Sequence, residues 1–447
     1  MAHVISVTDG TTTITFNAAN GYQVEAYDPR VAETERGVMA DTIAETLQIY
    51  ITGTSGSQVQ TRHAALERLL QVANRRRVLG VGPRLYLQLQ IDSDASAWRS
   101  EVLEARLEPV EEALRLWPNN LLSLQFFVLR LSYWEGTLTQ LPLTNSNGTN
   151  NTSGLTIWNH DDSGAGHDNY VQISAADVAG TIPAPVKLEL TNATGSAQTY
   201  DTIWAATNAF CDPANLTHVL EAETIVGASP NYDSIGSNAD SSGGQYIVKA
   251  VNGTNSQFFN LSAALLAKTM GHDFHLLARF RNYGDMYVRP SIYDAAGTYK
   301  LRTGDEREIR GVTTNAIVDL GVMPFPPGGY ATAYAAHQLN LFYRTTGAVS
   351  VQLDCFMLFP AVAFRRLSIV GSVANGAKIT DDPIEDRAYI TASGVDTPAV
   401  VRRSSAVQVW PNTLQRIYFA WGLQNTTAPI DQTFTVKAWY RPRRVSF

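Results

Sequence analysis

A strand, a helix and a second strand follow one another in residues 46–91, which read TLQIYITGTSGSQVQTRHAALERLLQVANRRRVLGVGPRLYLQLQI. The first seven residues alternate apolar and polar side chains, as a half-buried strand does. Ser57 and Gln60 form a capping-box pattern that predicts a helix over residues 58–77. Alternation resumes over 85–91. The apolar stripe of the helix consists of Val59, Leu66, Leu69, Leu70 and Ala73. This pattern predicts two β-strands on either side of one α-helix.

Further strands complete a first unit that spans residues 1–140. Alternation predicts strands near 98–110 and 121–133. The second of these is apolar on both faces, with Leu122, Leu124, Phe126 and Val128 on one face and Phe127, Leu129 and Leu131 on the other. Such a strand is typical of a sheet covered on both sides, for example by another subunit. Residues 17–40 give mixed signals and predict a long loop or arm.

The composition excludes several classes of protein. The chain has 447 residues, of which 45% are hydrophobic and 17% charged, and its formal net charge is −7. No apolar run reaches the ~18 residues of a transmembrane helix, and no secretory signal is recognisable at the start. The net charge argues against a nucleic-acid partner, and the apolar and aromatic content argues against disorder. We therefore expect a soluble protein of about three domains with no membrane insertion.

The remainder of the chain is predicted to be almost entirely β. Residues 141–152 read LPLTNSNGTNNT and predict a polar linker. Closely spaced strand patterns then predict β-sandwiches, with one short helix at 261–269. We expect 215–360 to form a sandwich inserted into a discontinuous outer domain made of 141–214 and 361–447. The first outer segment carries one basic and seven acidic residues and the last carries eleven and six, which favours their pairing.

No motif predicts catalysis. The chain contains no Gly-x-Ser-x-Gly elbow, no phosphate-binding glycine-rich loop and no His-Glu-x-x-His helix. Asp381 and Asp382 stand in a Pro-containing segment, which favours solvated turn residues over a general acid–base pair. Cys211 and Cys355 lack the spacing of thiolate metal ligands, and Cys355 lies in an apolar stretch that predicts a buried strand. We therefore expect no enzyme activity, no catalytic residue and no cofactor-binding residue.

One set of carboxylates predicts a cation site. Glu221 and Glu223 stand two residues apart in a predicted strand, so both side chains are expected on the same side. Asp354 belongs to the closing strand of the same predicted sandwich, and the first and last strands of a jelly roll can be neighbours. Three carboxylates at that point are the hard oxygen ligands that Ca²⁺ prefers. The alternative is a rim of solvated carboxylates without a metal.

A resemblance supports the calcium hypothesis. It is carried by LEAE at 220–223, GGQYIV at 243–248, FHLLARF at 274–280 and LDCFML at 353–358. On these stretches the inserted segment resembles the carbohydrate-binding jelly rolls of the galactose-binding-like class. The resemblance implies a structural Ca²⁺ held by Glu221, Glu223 and Asp354, and sugar-stacking aromatic rings in variable loops. The candidates for glycan contacts are Tyr232, Tyr283 and Tyr287.

A second resemblance concerns the first 140 residues. Their order of strand, helix, strand and paired strands ends in Tyr133-Trp134-Glu135-Gly136, and VTDGTTTI at 7–14 and LPLTN at 141–145 flank it. This order resembles the ring-forming N-terminal domain of siphophage tail proteins, particularly distal tail (baseplate hub) proteins. The resemblance implies a β-sandwich with one α-helix, and a homo-oligomeric ring that is expected to be a hexamer. Tail tube proteins share this fold, so a tube position and a distal position both stay open.

We interpret the chain as a structural virion protein of a long-tailed phage, assembled in the host cytoplasm and located in the virion tail. Neighbouring tail tube and baseplate proteins are its expected partners. Ring contacts are expected from the arm at 17–40, the strand edges and the second face of 121–131. The outward β-sandwich modules are expected to bind host surface glycans. The alternatives are a tail tube protein with decoration domains, a non-catalytic carbohydrate-binding surface protein and a polysaccharide-degrading tail enzyme.

Overall fold

The computed structural model contains two compact units. The first consists of Met1–Thr139, Gly180–Ile182 and Arg441–Phe447, and the second of Gln140–Ala179 and Pro183–Tyr440. The structure describes residues 3–25, 27, 29, 34–35, 38–39, 41–91, 94–110, 120–150, 153–160, 166–208, 218–227, 231–238, 241–269, 272–310, 315–325, 337–422 and 432–446. Cys211 and most of the predicted arm at 17–40 lie outside these residues. No helix in the described ranges is long and apolar enough to cross a membrane.

The first unit is built on one antiparallel sheet. Its strands are β1 (His3–Thr8), β2 (Thr13–Phe16), β3 (Tyr22–Val24), β4 (Thr34–Glu35), β5 (Val38–Met39), β6 (Thr42–Thr52), β7 (Leu85–Ile91), β8 (Trp98–Pro109), β9 (Leu121–Leu131), β10 (Trp134–Glu135) and β39 (Arg443–Arg444). The strand order is β2-β1-β7-β8-β9-β6-β3, and β4 and β5 form a separate hairpin. The rings of Phe16 and Tyr22, on opposite edge strands, lie 6.3 Å apart. The sheet therefore curls until its two edges meet.

The helix α1 (Gly56–Leu79) packs on this sheet. Its buried residues are Val59, Leu66, Leu69, Leu70 and Ala73, which confirms the predicted stripe. The predicted capping pair, Ser57 and Gln60, is wrong, because the extended backbone that an N-cap needs occurs at Ser55. Ser55 Oγ accepts a hydrogen bond of 3.2 Å from the backbone N–H of Gln58. The helix ends at Gly80, whose φ of 71° is the left-handed conformation that favours glycine.

Two separated stretches of the chain form the first pair of sheets in the second unit. Their strands are β12 (Leu143–Asn145), β13 (Gly148–Asn150), β14 (Leu155–Trp158), β15 (Tyr170–Ile173), β16 (Ala184–Asn192), β17 (Gln198–Thr199), β18 (Thr202–Thr207), β30 (Phe364–Ile369), β31 (Ser372–Val373), β32 (Lys378–Asp382), β33 (Arg387–Ala392), β34 (Val395–Thr397), β35 (Val400–Arg403), β36 (Gln408–Val409), β37 (Gln415–Gly422) and β38 (Thr433–Tyr440). Sheet 1 has the order β38-β16-β32-β33-β34, and sheet 2 has the order β13-β12-β15-β37-β18-β30-β35. One apolar core joins them. A further strand, β11 (Thr139–Gln140), lies at the boundary of the two units in the sequence.

The segment between these stretches forms a second pair of sheets. Its strands are β19 (Val219–Glu221), β20 (Ser234–Ser237), β21 (Gln245–Val251), β22 (Thr254–Leu261), β23 (Asp273–Asn282), β24 (Met286–Tyr293), β25 (Lys300–Thr303), β26 (Arg307–Ile309), β27 (Ala316–Pro324), β28 (His337–Arg344) and β29 (Val349–Pro360). Sheet 3 has the order β20-β21-β29-β23-β27 with β19 beside β29, and sheet 4 has the order β22-β28-β24-β25 with β26 beside β24. The short helices are α2 (Ala222–Ile225) and α3 (Ala263–Thr269), and 3₁₀ turns lie at Ala175–Asp177 and Ser242–Gly244. The mainly β fold class and the short helix near 261–269 are confirmed.

Sheet 3 is covered on both faces. One face shares a core with sheet 4. The other face packs Leu277, Met357 and Phe359 against sheet 2, where Trp204 and Tyr418 receive them. The second unit is therefore a stack in which sheets 1, 2, 3 and 4 follow one another. This explains the unbroken burial along the end of β29, where both faces of the strand meet apolar neighbours.

The predicted linker at 141–152 is wrong over its described part. β12 and β13 pair as a hairpin, and Leu141 and Leu143 are buried in the core between sheets 1 and 2. The turn-rich composition has a local reason, since Asn145 Oδ1 accepts a hydrogen bond from the backbone N–H of Asn147 within the tight turn. Short polar residues therefore form a hairpin turn here.

His218 is buried where sheets 2 and 3 meet. Its ring stacks on Tyr418 with centroids 3.8 Å apart, and its Nε2 bonds the side-chain oxygen of Asn169. Burial, followed by the charge of Arg416, lowers the pKa of His218 well below 6.5. The unfolded chain therefore binds a proton at His218 before the folded chain does, and stability falls as pH drops below about 6.5.

We expect His218→Gln to weaken this acid sensitivity. Glutamine keeps a polar group opposite Asn169 but does not titrate. The measurement is urea unfolding of wild type and variant at pH 7.5 and pH 5.5. The loss of unfolding free energy between the two pH values should be smaller in the variant, and an equal loss would contradict the assignment.

Candidate functional site

The three predicted carboxylates meet at the end of β19 and the middle of β29. β19 runs antiparallel to β29 with Glu221 opposite Cys355. β23 pairs with the other edge of β29, and its register slips between the pairs Arg279–Cys355 and Phe280–Leu353. Asp354 is the residue skipped by this bulge. A β-bulge redirects a side chain within a strand, which explains how a carboxylate comes to lie fully buried in an apolar strand.

The predicted strand geometry of Glu221 and Glu223 is wrong. β19 ends at Glu221, and residues 222–225 form one turn of helix, in which the Thr224 hydroxyl donates to the Glu221 carbonyl oxygen at 2.9 Å. The two carboxyl groups nevertheless converge. A Cβ added to Gly243 would lie 3.3 Å from Glu221 Cδ and 3.3 Å from Glu223 Oε1. Gly243 has a φ of 59°, so a glycine is favoured there for both conformation and space.

The Ser242–Gly244 turn closes the site. The backbone N–H of Ser242 donates to Asp354 Oδ2 at 3.2 Å, and the Ser242 hydroxyl donates to Glu221 Oε1 at 2.6 Å. Sequence analysis missed Ser242 and Gly243 as site residues. The turn-forming run Ser241-Ser242-Gly243-Gly244 is the signal that could have indicated them.

Two carboxylate oxygens at the site are buried without a hydrogen-bond partner among the described residues. They are Asp354 Oδ1 and Glu223 Oε2. Burial raises the pKa of Asp354 to about 7, against the opposing effect of Arg279, and burial also raises the pKa of Glu223. Buried acceptors without donors are costly unless a proton or a cation occupies the space between them. Hard anionic oxygens of this kind fit Ca²⁺.

Cys355 borders the same cluster. Its Sγ and one oxygen each of Glu221 and Asp354 lie within 4.8 Å of one another. Burial, followed by the charges of Asp354 and Glu221, raises the pKa of the Cys355 thiol well above its ordinary value. The neutral thiol is therefore favoured, and a thiol is a poor metal ligand. The donors of the site are its oxygens.

The three tyrosine candidates have different surroundings. Tyr283 is 2% exposed and packs edge-on against Phe280 in the core, so its ring offers no face to a ligand and its prediction as a loop contact is wrong. Tyr232 is half-buried and packs against the same core. Tyr287 lies on β24 with the Arg344 guanidinium 3.9 Å from its ring centroid. It borders a cavity of about 260 Å³.

The adjacent carboxylates Asp381 and Asp382 are not solvated turn residues, as predicted, but buried members of β32. Asp381 Oδ2 accepts a 2.7 Å hydrogen bond from Arg365 Nε, and Asp382 lies 3.2 Å from Lys187 Nζ. The strand holds both acids against cations of neighbouring strands, which sequence spacing does not reveal. This is a structural role.

Comparisons with known proteins complete the description. No family model matches the chain, and no curated protein matches it. Among solved structures, the Dit protein (gp 19.1) of phage SPP1, described as a paradigm of the hub adsorption apparatus in phages that infect Gram-positive bacteria, matches with 7% identity, covers 99% of each chain and has a TM-score of 0.31. A phage P2 baseplate structure, in its activated conformation with Ca, matches with 8% identity, covers 79% of this chain and 98% of the other, and has a TM-score of 0.26.

A third solved structure matches a smaller part of the chain. It is TmCBM61 in complex with β-1,4-galactotriose, with 11% identity, coverage of 32% of this chain and 86% of the other, and a TM-score of 0.19. TM-scores this low do not establish a shared fold or function. These three proteins are what the chain is similar to.

Proposed function

We propose that this chain is a structural protein of a phage tail whose first unit assembles into a ring, expected to be a hexamer, at the distal end of the tail. The observation that carries the proposal is the second face of β9. Leu122, Leu124 and Phe126 are buried on one face, while Phe127 and Leu129 stay half-exposed on the other. These two residues line a cavity of about 450 Å³ on the sheet surface, together with Thr46, Glu104 and Arg106.

A half-exposed apolar strip in the middle of a sheet favours contact with a second copy. A strand with one face in water alternates apolar and polar residues along its sequence. β9 departs from this pattern at Phe127 and Leu129, which are apolar although they lie on its outer face. The Phe127 ring lies 4.7 Å from the Arg106 guanidinium, which gives the strip a polar margin typical of subunit interfaces. The alternative positions, tail tube and distal ring, share this requirement for lateral contacts.

We expect Phe127→Glu to dissociate the ring, because the substitution removes an apolar ring from the subunit contact and would desolvate a carboxylate there. Mass photometry and negative-stain electron microscopy of the purified chain measure the outcome. Val395→Glu is the matched control, since Val395 is an exposed apolar residue at the start of β34, an edge strand of sheet 1. A monomeric wild type at micromolar concentration would contradict the ring, and so would unchanged rings in the Phe127 variant.

We also propose that the 215–360 segment is an inserted module that binds host surface glycans and carries a structural Ca²⁺ at Glu221, Glu223 and Asp354, and that 141–214 and 361–447 form the outer domain around it. The unpartnered oxygens of Asp354 and Glu223 support the metal. The pairing of β16 with β32 and β38 supports the discontinuous domain. Thermal melts with EDTA and with added calcium test the metal, and glycan array binding tests the module.

A further inference from the structure

One face of sheet 4 has no other sheet of the described residues packed on it, and this open face is aromatic and polar. Its inner face contributes Val288, Ile292, Leu339 and Leu341 to the core. The alternate residues of the two central strands are Tyr287, Arg289, Ser291 and Tyr293 on β24 and Gln338, Asn340, Phe342 and Arg344 on β28. In the register of these strands Tyr287 lies opposite Arg344, Arg289 opposite Phe342, and Ser291 opposite Asn340. Because both faces of sheet 3 are covered, the open face of sheet 4 is the broad sheet surface that this segment offers to a ligand.

Cations lie against the aromatic rings of this face. The guanidinium of Arg289 lies 4.9 Å from the centroid of Phe342, and that of Arg344 lies 3.9 Å from the centroid of Tyr287. Next to the Arg289–Phe342 pair, on the side away from Tyr287, Ser291 and Asn340 are 1% and 2% exposed and form a polar floor beneath the larger side chains. Rings, hydroxyl and amide groups and guanidinium groups thus occupy one continuous surface.

The two arginines differ in their ion pairs. Arg344 Nη2 lies 2.8 Å from Glu306 Oε2, and this hydrogen bond lowers the pKa of Glu306. Arg289 has no hydrogen bond and no ion pair with any described residue, and its Nε is buried. A half-buried guanidinium without an acceptor is unfavourable, and the groups that relieve it best are carboxylate and phosphate oxygens, which it binds in a bidentate manner.

We propose that the open face of sheet 4 binds an acidic saccharide, with the anionic group on Arg289 and a sugar ring against Phe342. The proposal rests on the glycan-binding function proposed above and names its ligand class and its place. The cavity beside Tyr287 extends the same surface, and Glu308 and Arg310 on its wall offer an acceptor and donors to sugar hydroxyls. The anionic group can be a carboxylate, as in a uronic acid, or a phosphodiester, as in a teichoic acid.

Affinity electrophoresis and calorimetry with the full chain test this proposal. The probes are polygalacturonate for the carboxylate, glycosylated poly(glycerol phosphate) teichoic acid for the phosphodiester, and neutral β-1,4-galactan. Arg289→Gln is expected to weaken binding of the acidic polymer by about tenfold or more, since one charged hydrogen-bonded contact is lost. Arg302→Gln, at an exposed arginine on the neighbouring strand β25, is the matched control and should bind as wild type does. Arg289→Lys should restore part of the affinity.

The outcomes separate the inference from the function on which it rests. Equal binding of acidic polymer by wild type and Arg289→Gln, with unchanged melting temperature, would overturn the site. Binding of neutral galactan alone would overturn the acidic ligand and leave the glycan-binding function standing. Binding of no polysaccharide would remove the glycan function as well, while ring assembly is measured independently. Phe342→Leu keeps an apolar residue on the face, so its loss of affinity identifies ring stacking even if the Arg289 variants fold poorly.

Discussion

Glu45→Gln is expected to lower the unfolding free energy of the first unit by about 3–5 kcal/mol, because it leaves the charge of Arg130 buried without its counter-ion. The Arg130 side chain is 0% exposed and that of Glu45 is 3% exposed. Arg130 donates to the Glu45 carboxylate through Nη2 at 2.7 Å and through Nε at 3.0 Å. Arg130 also stacks on Trp134, with its guanidinium carbon 4.5 Å from the ring centroid. Tyr27 donates a 2.7 Å hydrogen bond to Glu45 Oε2, and burial followed by the charge of Glu45 raises the pKa of Tyr27.

Hydrogen exchange measured by mass spectrometry on peptides of β6 and β9 reports this unit separately from the rest of the chain. The matched control is Glu108→Gln, because Glu108 pairs with Arg106 in the same sheet while both side chains are about half exposed. Exposed pairs contribute about 0–1 kcal/mol, so the control should exchange almost as wild type does. The double variant Glu45→Gln, Arg130→Met should lose less than the two single variants together. Equal effects at Glu45 and Glu108 would contradict the role of burial.

Asp354→Asn is expected to abolish the response of thermal stability to calcium. If wild type binds Ca²⁺, adding the ion at one hundred times its dissociation constant stabilises the folded state by about 2.7 kcal/mol. If the segment 215–360 unfolds as one unit, this free energy corresponds to a rise of roughly 5–10 °C in its melting temperature. The variant loses an anionic ligand whose Oδ1 is buried without a protein donor. Differential scanning calorimetry with EDTA and with calcium measures both.

The pH dependence of this site has a definite sign. Without metal, the folded-state pKa of Asp354 is about 7, raised by burial from 3.8. The folded chain therefore holds a proton there that the unfolded chain releases, and this contribution to stability is complete below pH 3.8 and lost as pH rises through about 7. Calcium competes with that proton, so its stabilising effect should be larger at pH 8 than at pH 5.5. Asp354→Asn should remove both dependences.

An exposed acid of the same module is the control for the calcium experiment. Asp305 has a side chain 87% exposed, and its ion pair with Arg307 is 3.8 Å long. Asp305→Asn should keep the calcium response of wild type. A wild type that melts at the same temperature with EDTA and with calcium at pH 8 would exclude the metal site, and an equal response in Asp354→Asn would exclude Asp354 as a ligand.

Local periodicity was enough to predict much of the fold. The stripe on α1 and the alternation of β6 and β7 appear in the structure as predicted, because burial of one face imposes the period of each element on the sequence. Composition gave a wrong prediction where polar residues cluster. The turn-rich stretch after residue 140 forms a hairpin, because turn composition is shared by linkers and by tight turns.

The amino-acid sequence by itself determined the element types, the mainly β class and the three carboxylates that could share a cation. Only the tertiary structure decided which charged side chains are buried and desolvated. Three features depend on register between strands far apart in the chain: the bulge at Asp354, the ion pair of Arg130, and the absence of an ion pair at Arg289 among the described residues. Strand register and sheet stacking are set by the packing of the whole unit, and they determine the desolvation that makes a charged side chain a site or a structural pair.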